Sequence, residues 1–140
     1  MNISKKVKFG ILCCSRVAQK GVMPAMADSE CAELFMMGGR DSDGVADIAA
    51  QFGCKSFGNY EDVIGNKDVD AVYVSLPHSL HEEWTVRALE AGKHVYVEKP
   101  AGLTYESAKR MVGAARKNDV RLIEGLMFRY HPQNIKVREW

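Results

Sequence analysis

The chain has 140 residues, of which 46% are hydrophobic and 26% are charged, a composition typical of one soluble globular domain. Its formal net charge of +1 gives no strong electrostatic field, which argues against binding to nucleic acid or to an anionic membrane. No apolar run approaches the roughly 20 residues that span a bilayer. The short apolar stretch after Lys5 and Lys6 is broken by Ser15 and Arg16, so we expect no signal peptide.

The four cysteines are the other compositional clue. Cys13, Cys14, Cys31 and Cys54 form no C-x-x-C pair and have no histidines at zinc-ligand spacing. This pattern favours free thiols in a reducing compartment over a disulfide framework or a zinc site. We therefore expect a cytoplasmic protein without a bound metal.

Strand-like and helix-like segments alternate along the chain. The predicted strands are at 7–12, 32–37, 55–57 (short), 71–76, 94–97 and 121–126. The predicted helices between them are at 15–27, from Asp41 or Ser42 to Gly53, at 60–64 (short), from a Ser79-x-x-Glu82 capping box to Gly92, and from Thr104 to about Asn118. A further element opens at 131–140. Helices of roughly 10–15 residues between strands indicate right-handed βαβ units. The pattern predicts an α/β fold with a doubly wound parallel sheet, the Rossmann fold.

In such a sheet ligands bind beyond the carboxyl ends of the strands, so the residues after each strand are the candidates for a site. The turn LCCSRVA follows the first strand, where a dinucleotide-binding fold has G-x-G-x-x-G/A. Cys13, Ser15 and Ala18 occupy the three small-residue positions. Alanine is acceptable in the third, and the Ser15 hydroxyl can bond a phosphate oxygen at the helix N-terminus. A side chain at positive φ costs on the order of 1 kcal/mol, so Cys13 is the poorest match to the dinucleotide-binding motif. The alternative interpretation of this segment is an ordinary strand-to-helix turn.

The second strand is followed by GGRD. An acidic residue at this strand end accepts hydrogen bonds from the ribose 2′-hydroxyl of NAD, whereas an arginine pairs with the 2′-phosphate of NADP. Gly39 and Arg40 occupy these positions, so NADP is favoured and NAD is the alternative. A solvated Arg40 and an inward-turned Asp41 are the competing interpretations.

Polar residues also follow the fourth and fifth strands. In SLPHSLH, Pro77 fixes the chain as it leaves the sheet, and His81 begins the next helix facing the crevice; a partly exposed helix-terminal histidine is the alternative. In VYVEKPAG, Glu98 and Lys99 are too polar for a packed core unless paired. We expect them at the crevice mouth, near the nicotinamide position. A surface Glu-Lys pair is the alternative.

The degenerate glycine turn, SLPHSLH, ALEAGKHVYVEKP and EGLMFRYHPQ together resemble the Gfo/Idh/MocA family of oxidoreductases, named for glucose–fructose oxidoreductase and inositol dehydrogenase. The similarity runs from about Lys8 to Gln133. The most specific part is 88–100, and the first turn is the least specific. The resemblance implies a Rossmann domain that holds NAD or NADP and a C-terminal α/β domain that binds a sugar, cyclitol, diol or sugar nucleotide.

The resemblance also implies roles for individual residues. Lys99 matches the lysine of the EKP motif, which lies beside the nicotinamide ribose and the reacting oxygen, and is the implied catalytic residue. Hydride transfer at a carbon requires its oxygen to lose or gain a proton, which a positioned ammonium can provide while stabilising alkoxide charge. Glu98 would position Lys99 or bond the ribose. The implied cofactor-binding residues are Cys13, Ser15, Arg16, Val17, Gly39, Arg40, Ser75, Leu76, Pro77, His78, His81, Glu98, Lys99 and Arg129.

We assign residues 1–130 to the dinucleotide-binding domain and 131–140 to the start of a connection to a substrate domain that this chain lacks. We therefore expect part of a longer dehydrogenase, whose uncovered face favours homo-oligomers. The alternative is a non-catalytic dinucleotide-binding module with a regulatory or scaffold role. Lys99 favours the enzyme, whereas Cys13 and the missing domain favour the module. Nucleic-acid binding is discounted because the chain has no basic stripe.

Overall fold

Six parallel strands form one sheet in the computed structural model, which describes residues 5–40, 42–54 and 56–140. The strands are β1 Val7–Leu12, β2 Ala32–Gly38, β3 Ser56–Gly58, β4 Ala71–Val74, β5 His94–Val97 and β6 Leu122–Glu124. Their spatial order is β3-β2-β1-β4-β5-β6, and every neighbouring pair is parallel. The predicted doubly wound Rossmann fold is confirmed, with the strand order reversing between β1 and β4.

Helices connect the strands and cover both faces of the sheet. They are α1 Met23–Ala27 after a π-helical turn Ala18–Val22, α2 Ser42–Gln51, α3 Tyr60–Gly65, α4 His81–Glu90 after a 3-10 turn His78–Leu80, α5 Tyr105–Lys117, and α6 Pro132–Arg138 after a 3-10 turn Met127–Tyr130. None of the helices in the described part of the chain has the length and apolar character needed to cross a bilayer.

Two apolar cores lie on opposite sides of the sheet. One is packed beneath α1 and α2 and contains Ile11, Met23, Met37, Val45 and Tyr73. The other is packed beneath α3, α4 and α5 and contains Leu12, Val63, Val72, Leu89 and Val97. Neighbouring strand residues point to opposite faces, so β1 and β4 contribute to both cores. This explains the nearly continuous apolar run AVYV of β4, all of which is buried.

The predicted capping box at Ser79 and Glu82 is wrong. The chain enters a 3-10 turn directly after Pro77, so Ser79 lies inside helical structure and cannot cap it. Helix α4 begins after Leu80 without a side-chain cap, and the Glu82 carboxylate instead accepts a hydrogen bond from Arg110. Two further predictions, Asp41 as a helix cap and Lys55 as a strand residue, lie outside the described residues.

Three other predicted helix ends are confirmed. Gly53 (φ +64°) and Gly92 (φ +76°) adopt the left-handed conformation after α2 and α4, as expected for C-terminal glycines. Thr104 caps α5: its hydroxyl accepts from the Ser107 N–H at 3.1 Å, and the Ser107 hydroxyl accepts from the Thr104 N–H at 3.2 Å. Since Thr104 follows the turn that carries Lys99, this cap also fixes where that turn ends.

Replacing Thr104 by alanine should lower the free energy of unfolding by about 1 kcal/mol, because a first-turn N–H loses its acceptor. Thr104→Ser keeps the hydroxyl and should stay close to the unaltered chain. Urea denaturation followed by circular dichroism measures both. Equal midpoints for the alanine and serine variants would show that the cap does not contribute.

Candidate functional site

The site lies where the carboxyl ends of β1 and β4 separate. The Ser75 hydroxyl, at the end of β4, donates to the Cys13 carbonyl at 2.6 Å, and the Ser75 N–H donates to the Leu12 carbonyl at 3.2 Å. The Glu98 N–H in turn donates to the Val74 carbonyl at 3.0 Å. Backbone and hydroxyl bonds therefore hold the first residues beyond β1, β4 and β5 side by side at one edge.

The turn after β1 has a left-handed residue at its first motif position. Cys13 has φ +71°, in the left-handed region that favours glycine, as its position in the motif led us to expect. The Ser15 hydroxyl accepts from the Ala18 N–H at 3.1 Å, and the Gln19 amide donates to the Cys14 carbonyl at 2.6 Å. Ala18 is fully buried against the sheet, which is the close packing expected of the third position.

The Cys13 side chain faces Tyr60 at the start of α3. Burial raises the pKa of the Cys13 thiol, and the hydrogen bond to Tyr60 and the positive charge of Arg40 offset only part of that rise. Burial likewise raises the pKa of Tyr60 and brings the pKa of Cys14 to about 11. These groups are therefore neutral at pH 7, and the turn presents no negative charge of its own to an anionic ligand.

Arg40 follows the end of β2 and has an exposed side chain. The buried Gly39 before it donates its N–H to the Gly58 carbonyl at 3.0 Å, which fixes the chain next to β3. The positive charge of Arg40 lowers the pKa of both Cys13 and Tyr60, against the larger effect of burial. The competing interpretation that used Asp41 lies outside the described residues.

His81 is placed differently from both interpretations of the sequence. The ring is fully buried, so it neither faces the open crevice nor sits partly exposed at a helix end. Its Nε2 lies 2.9 Å from the Leu76 carbonyl oxygen and its Nδ1 lies 2.9 Å from the Pro100 carbonyl oxygen. A neutral imidazole carries one N–H, so the ring donates to one of these two carbonyls and lies beside the other. The buried His81 ring therefore packs between the turn after β4 and the turn after β5.

Glu98 and Lys99 do not form the surface ion pair that was the alternative. The Glu98 Oε1 accepts from the Tyr73 hydroxyl at 2.7 Å, and its Oε2 accepts from the Lys99 backbone N–H at 3.3 Å. Burial and the Glu98 carboxylate raise the pKa of Tyr73 far above its usual range, so this hydroxyl remains a donor. The Lys99 side chain is exposed, and its ammonium has no partner among the described residues.

The remaining predicted contacts lie around these turns. Two of the residues are buried, Ser75 and Leu76. The others are exposed: Arg16 and Val17 at the start of the helix after β1, Pro77 and His78 after β4, and Arg129 in the 3-10 turn after β6. Their contacts with a cofactor stay predictions.

Three residues that shape the site were not predicted from the sequence: Tyr60, Tyr73 and Glu124. Tyr60 faces Cys13, Tyr73 holds Glu98, and the Glu124 carboxylate accepts from the Ala101 N–H at 2.9 Å. The sequence signal for Glu124 was a carboxylate in an otherwise apolar last strand. The two tyrosines gave no signal, because an aromatic residue in a strand or at a helix start is typical of a core position.

Comparison with known proteins assigns this arrangement to a family. The family model described as "Oxidoreductase family, NAD-binding Rossmann fold" (GFO_IDH_MocA) matches residues 7–126. The chain belongs to the Gfo/Idh/MocA oxidoreductases. The resemblance carried by the sequence motifs is therefore confirmed over nearly the whole chain.

Individual members are similar over the same region. A dTDP-3,4-didehydro-2,6-dideoxy-alpha-D-glucose 3-reductase from Saccharopolyspora spinosa is 38% identical over 96% of this chain and 41% of its own length. A 3-ketoreductase from Actinomadura kijaniata, solved in complex with TDP-benzene and NADP, is 35% identical with a TM-score of 0.91 over 96% of this chain and 43% of its own. An apo scyllo-inositol dehydrogenase from Lactobacillus casei shares the fold, with a TM-score of 0.86 over 96% of this chain and 40% of its own. Its sequence is 24% identical. The chain thus spans about two fifths of the length of these relatives.

The strain at Cys13 is measurable by comparing Cys13→Gly with Cys13→Ala. Both variants lose the thiol, and only glycine is free of the roughly 1–2 kcal/mol cost of a Cβ at positive φ. Alanine gains roughly 0.4–1 kcal/mol from a less flexible unfolded chain. We therefore expect the glycine variant to be more stable in urea by up to about 1.5 kcal/mol. A more stable alanine variant would contradict the left-handed conformation.

Proposed function

We propose that this chain binds NADP and forms the cofactor-binding part of an oxidoreductase in which Lys99 is the catalytic acid/base. The observation that carries the proposal is the exposed Lys99 ammonium, which is unpaired among the described residues. It projects from a backbone held by hydrogen bonds, at the same edge of the sheet as the turn after β1. An alternative without catalysis, a regulatory or scaffold module, is not favoured, since the named relatives are reductases and dehydrogenases.

The residues around the turn fit a dinucleotide. The first turn of a helix leaves N–H groups without intrahelical partners, and these attract phosphate oxygens. Cys13 adopts φ +71°, the left-handed conformation that suits the first position of a dinucleotide-binding turn. The Ser15 hydroxyl accepts from Ala18 and keeps its own proton to donate. Ser15, Arg16 and Val17 would therefore hold the pyrophosphate.

Arg40 supports NADP over NAD. Its guanidinium lies beyond the end of β2, where the adenosine ribose of a dinucleotide rests in this fold. A fixed fork of N–H donors matches a phosphate and has no equivalent partner on a 2′-hydroxyl. The same preference appears in the names of two relatives, a D-xylose 1-dehydrogenase (NADP(+)) from Hypocrea jecorina and the 3-ketoreductase solved with NADP.

The nicotinamide, when bound, supplies or accepts the hydride. Lys99 would donate a proton to the substrate oxygen during reduction, or accept one during oxidation, and its charge would stabilise a developing alkoxide. Glu98 supports this role through the backbone, because its carboxylate accepts from the Lys99 N–H and is itself fixed by Tyr73. The carboxylate thereby leaves the Lys99 ammonium free for the substrate.

We further infer the setting of this reaction. Residues 1–130 form the dinucleotide-binding domain, and 131–140 lead toward a substrate domain like that of the longer relatives. The substrate is a sugar-like alcohol or ketone, in line with the sugar and sugar-nucleotide enzymes among those relatives. Exposed apolar side chains at Ile123, Met127 and Tyr130 support a homo-oligomer, and the free thiols support a cytoplasmic location.

The cofactor preference is tested by titrating this chain with NADPH and NADH and following nicotinamide fluorescence. Arg40→Ala should weaken NADPH binding by about 10- to 100-fold, because a charge-assisted contact to phosphate is lost. NADH binding should change little. Arg116→Ala, which removes an exposed arginine from the far end of α5, is the matched control. Failure of the unaltered chain to bind either nucleotide would overturn the proposal.

The role of Lys99 is tested in a chimera in which this chain replaces the matching 43% of the 3-ketoreductase from Actinomadura kijaniata. Lys99→Ala should lower kcat by about 100- to 10,000-fold, the usual contribution of a general acid or base, while NADPH binding is largely retained. Lys109→Ala, at an exposed position in α5, should leave turnover unchanged. Full activity of Lys99→Ala would contradict the role.

A further inference from the structure

The turn that carries Lys99 is held on both sides by the end of β6. The Gly125 N–H donates to the Val97 carbonyl at 2.8 Å, on the residue before Glu98. The Ala101 N–H donates to the Glu124 Oε1 at 2.9 Å, on the residue after Pro100. Two consecutive residues at the end of β6 therefore bracket the Glu98-Lys99-Pro100 segment.

The bond from the Ala101 N–H to Glu124 involves a peptide unit that also contacts His81. The carbonyl of Pro100 and the N–H of Ala101 belong to one peptide plane. The buried His81 ring contacts that carbonyl at 2.9 Å, and the Glu124 carboxylate accepts from that N–H at 2.9 Å. The Glu124 carboxylate of β6 thus holds the N–H end of the plane, and the buried His81 ring of α4 lies against its carbonyl end. A rotation of this peptide would break the bond to Glu124 and move the carbonyl against the packed ring.

The immediate surroundings leave this segment little room to shift. An added Cβ at Gly125 would lie 3.3 Å from the Tyr96 ring and 3.4 Å from the Glu98 carboxylate. The Glu98 backbone N–H and carboxylate are already engaged with Val74 and Tyr73. Within the described residues, the Lys99 ammonium is the one polar side-chain group of the 98–100 segment that is free of such contacts. The rigid backbone therefore determines where this ammonium can reach.

We propose that Glu124 is a positioning residue for Lys99, acting through the Pro100–Ala101 peptide plane. This inference rests on the proposed function, because it concerns the lysine that faces the nicotinamide half of NADP. Loss of the carboxylate frees one end of the plane and lets the turn rotate about the His81 contact. Glu98 and the backbone of this turn then lose their place beside the nicotinamide ribose. Binding of the nicotinamide half weakens through these groups and not through the ammonium, whose removal leaves NADPH binding largely intact. The adenosine half, bound at Arg40 and the turn after β1, is unaffected.

Binding of two ligands to this chain separates positioning from general stability. NADPH probes both halves of the site, and adenosine 2′,5′-bisphosphate, with one phosphate at the 2′ and one at the 5′ position, probes the adenosine half alone. Glu124→Ala should weaken NADPH binding by about 5- to 10-fold, as expected for a lost hydrogen bond that orders a loop, with less than about 2-fold change for the bisphosphate. Glu124→Gln keeps an acceptor oxygen for Ala101 and should restore most of the affinity. Glu90→Ala, at the exposed end of α4, is the control.

A second measurement does not depend on the cofactor. Amide hydrogen exchange in the free chain should be about 5-fold or more faster at Ala101 in Glu124→Ala than in the unaltered chain or in Glu124→Gln. Unchanged exchange and unchanged NADPH affinity would overturn the proposal, and so would an equal loss of both ligands. If Ala101 exchange rises as expected but the unaltered chain binds neither ligand, the proposed function fails while the hold on the peptide plane stands.

Discussion

The bond between the end of β4 and the turn after β1 is the constraint on which the rest of the site depends. Parallel strands β1 and β4 lie side by side, yet the helices that follow them pack on opposite faces of the sheet. The chain must therefore diverge at this point, and a gap opens between the two turns. Ser75 bridges that gap by donating to the Cys13 carbonyl. The same bond fixes the left-handed residue of the first turn and the start of the loop that leads to His81.

The site extends outward from this bond through contacts between side chains and backbone. His81 packs between the turn after β4 and the turn after β5, and the Tyr73 hydroxyl of β4 donates to the Glu98 carboxylate. None of these contacts uses the Lys99 ammonium. The polar groups of this region therefore divide into buried or half-buried ones, which fix the backbone, and the exposed Lys99 ammonium, to which we assign the proton transfer in our proposal. This division satisfies the requirement that buried polar groups be hydrogen-bonded.

Much of the fold could be predicted from the sequence because the apolar run of β4, the Thr104 cap and the glycines that end α2 and α4 are local signals. The family could be identified for a related reason, since its motifs lie directly after strands. The failures have a common cause. The Ser79-x-x-Glu82 pattern has the right spacing for a capping box, but the helical turn already begins after Pro77. The position of His81 depends on carbonyls from two separate turns, and no pattern within either segment reveals that they converge.

The peptide plane between Pro100 and Ala101 has a consequence for engineering and for evolution. Its orientation depends on His81 and Glu124, which lie far apart in the chain on either side of the EKP segment. A grafted EKP loop would therefore carry the lysine without the groups that hold its backbone. Because Tyr73 holds Glu98 and His81 lies against the Leu76 carbonyl, the smallest transferable module runs from the start of β4 through the end of β6. Recombination that splits this module between two parents would separate the lysine from the residues that fix its turn.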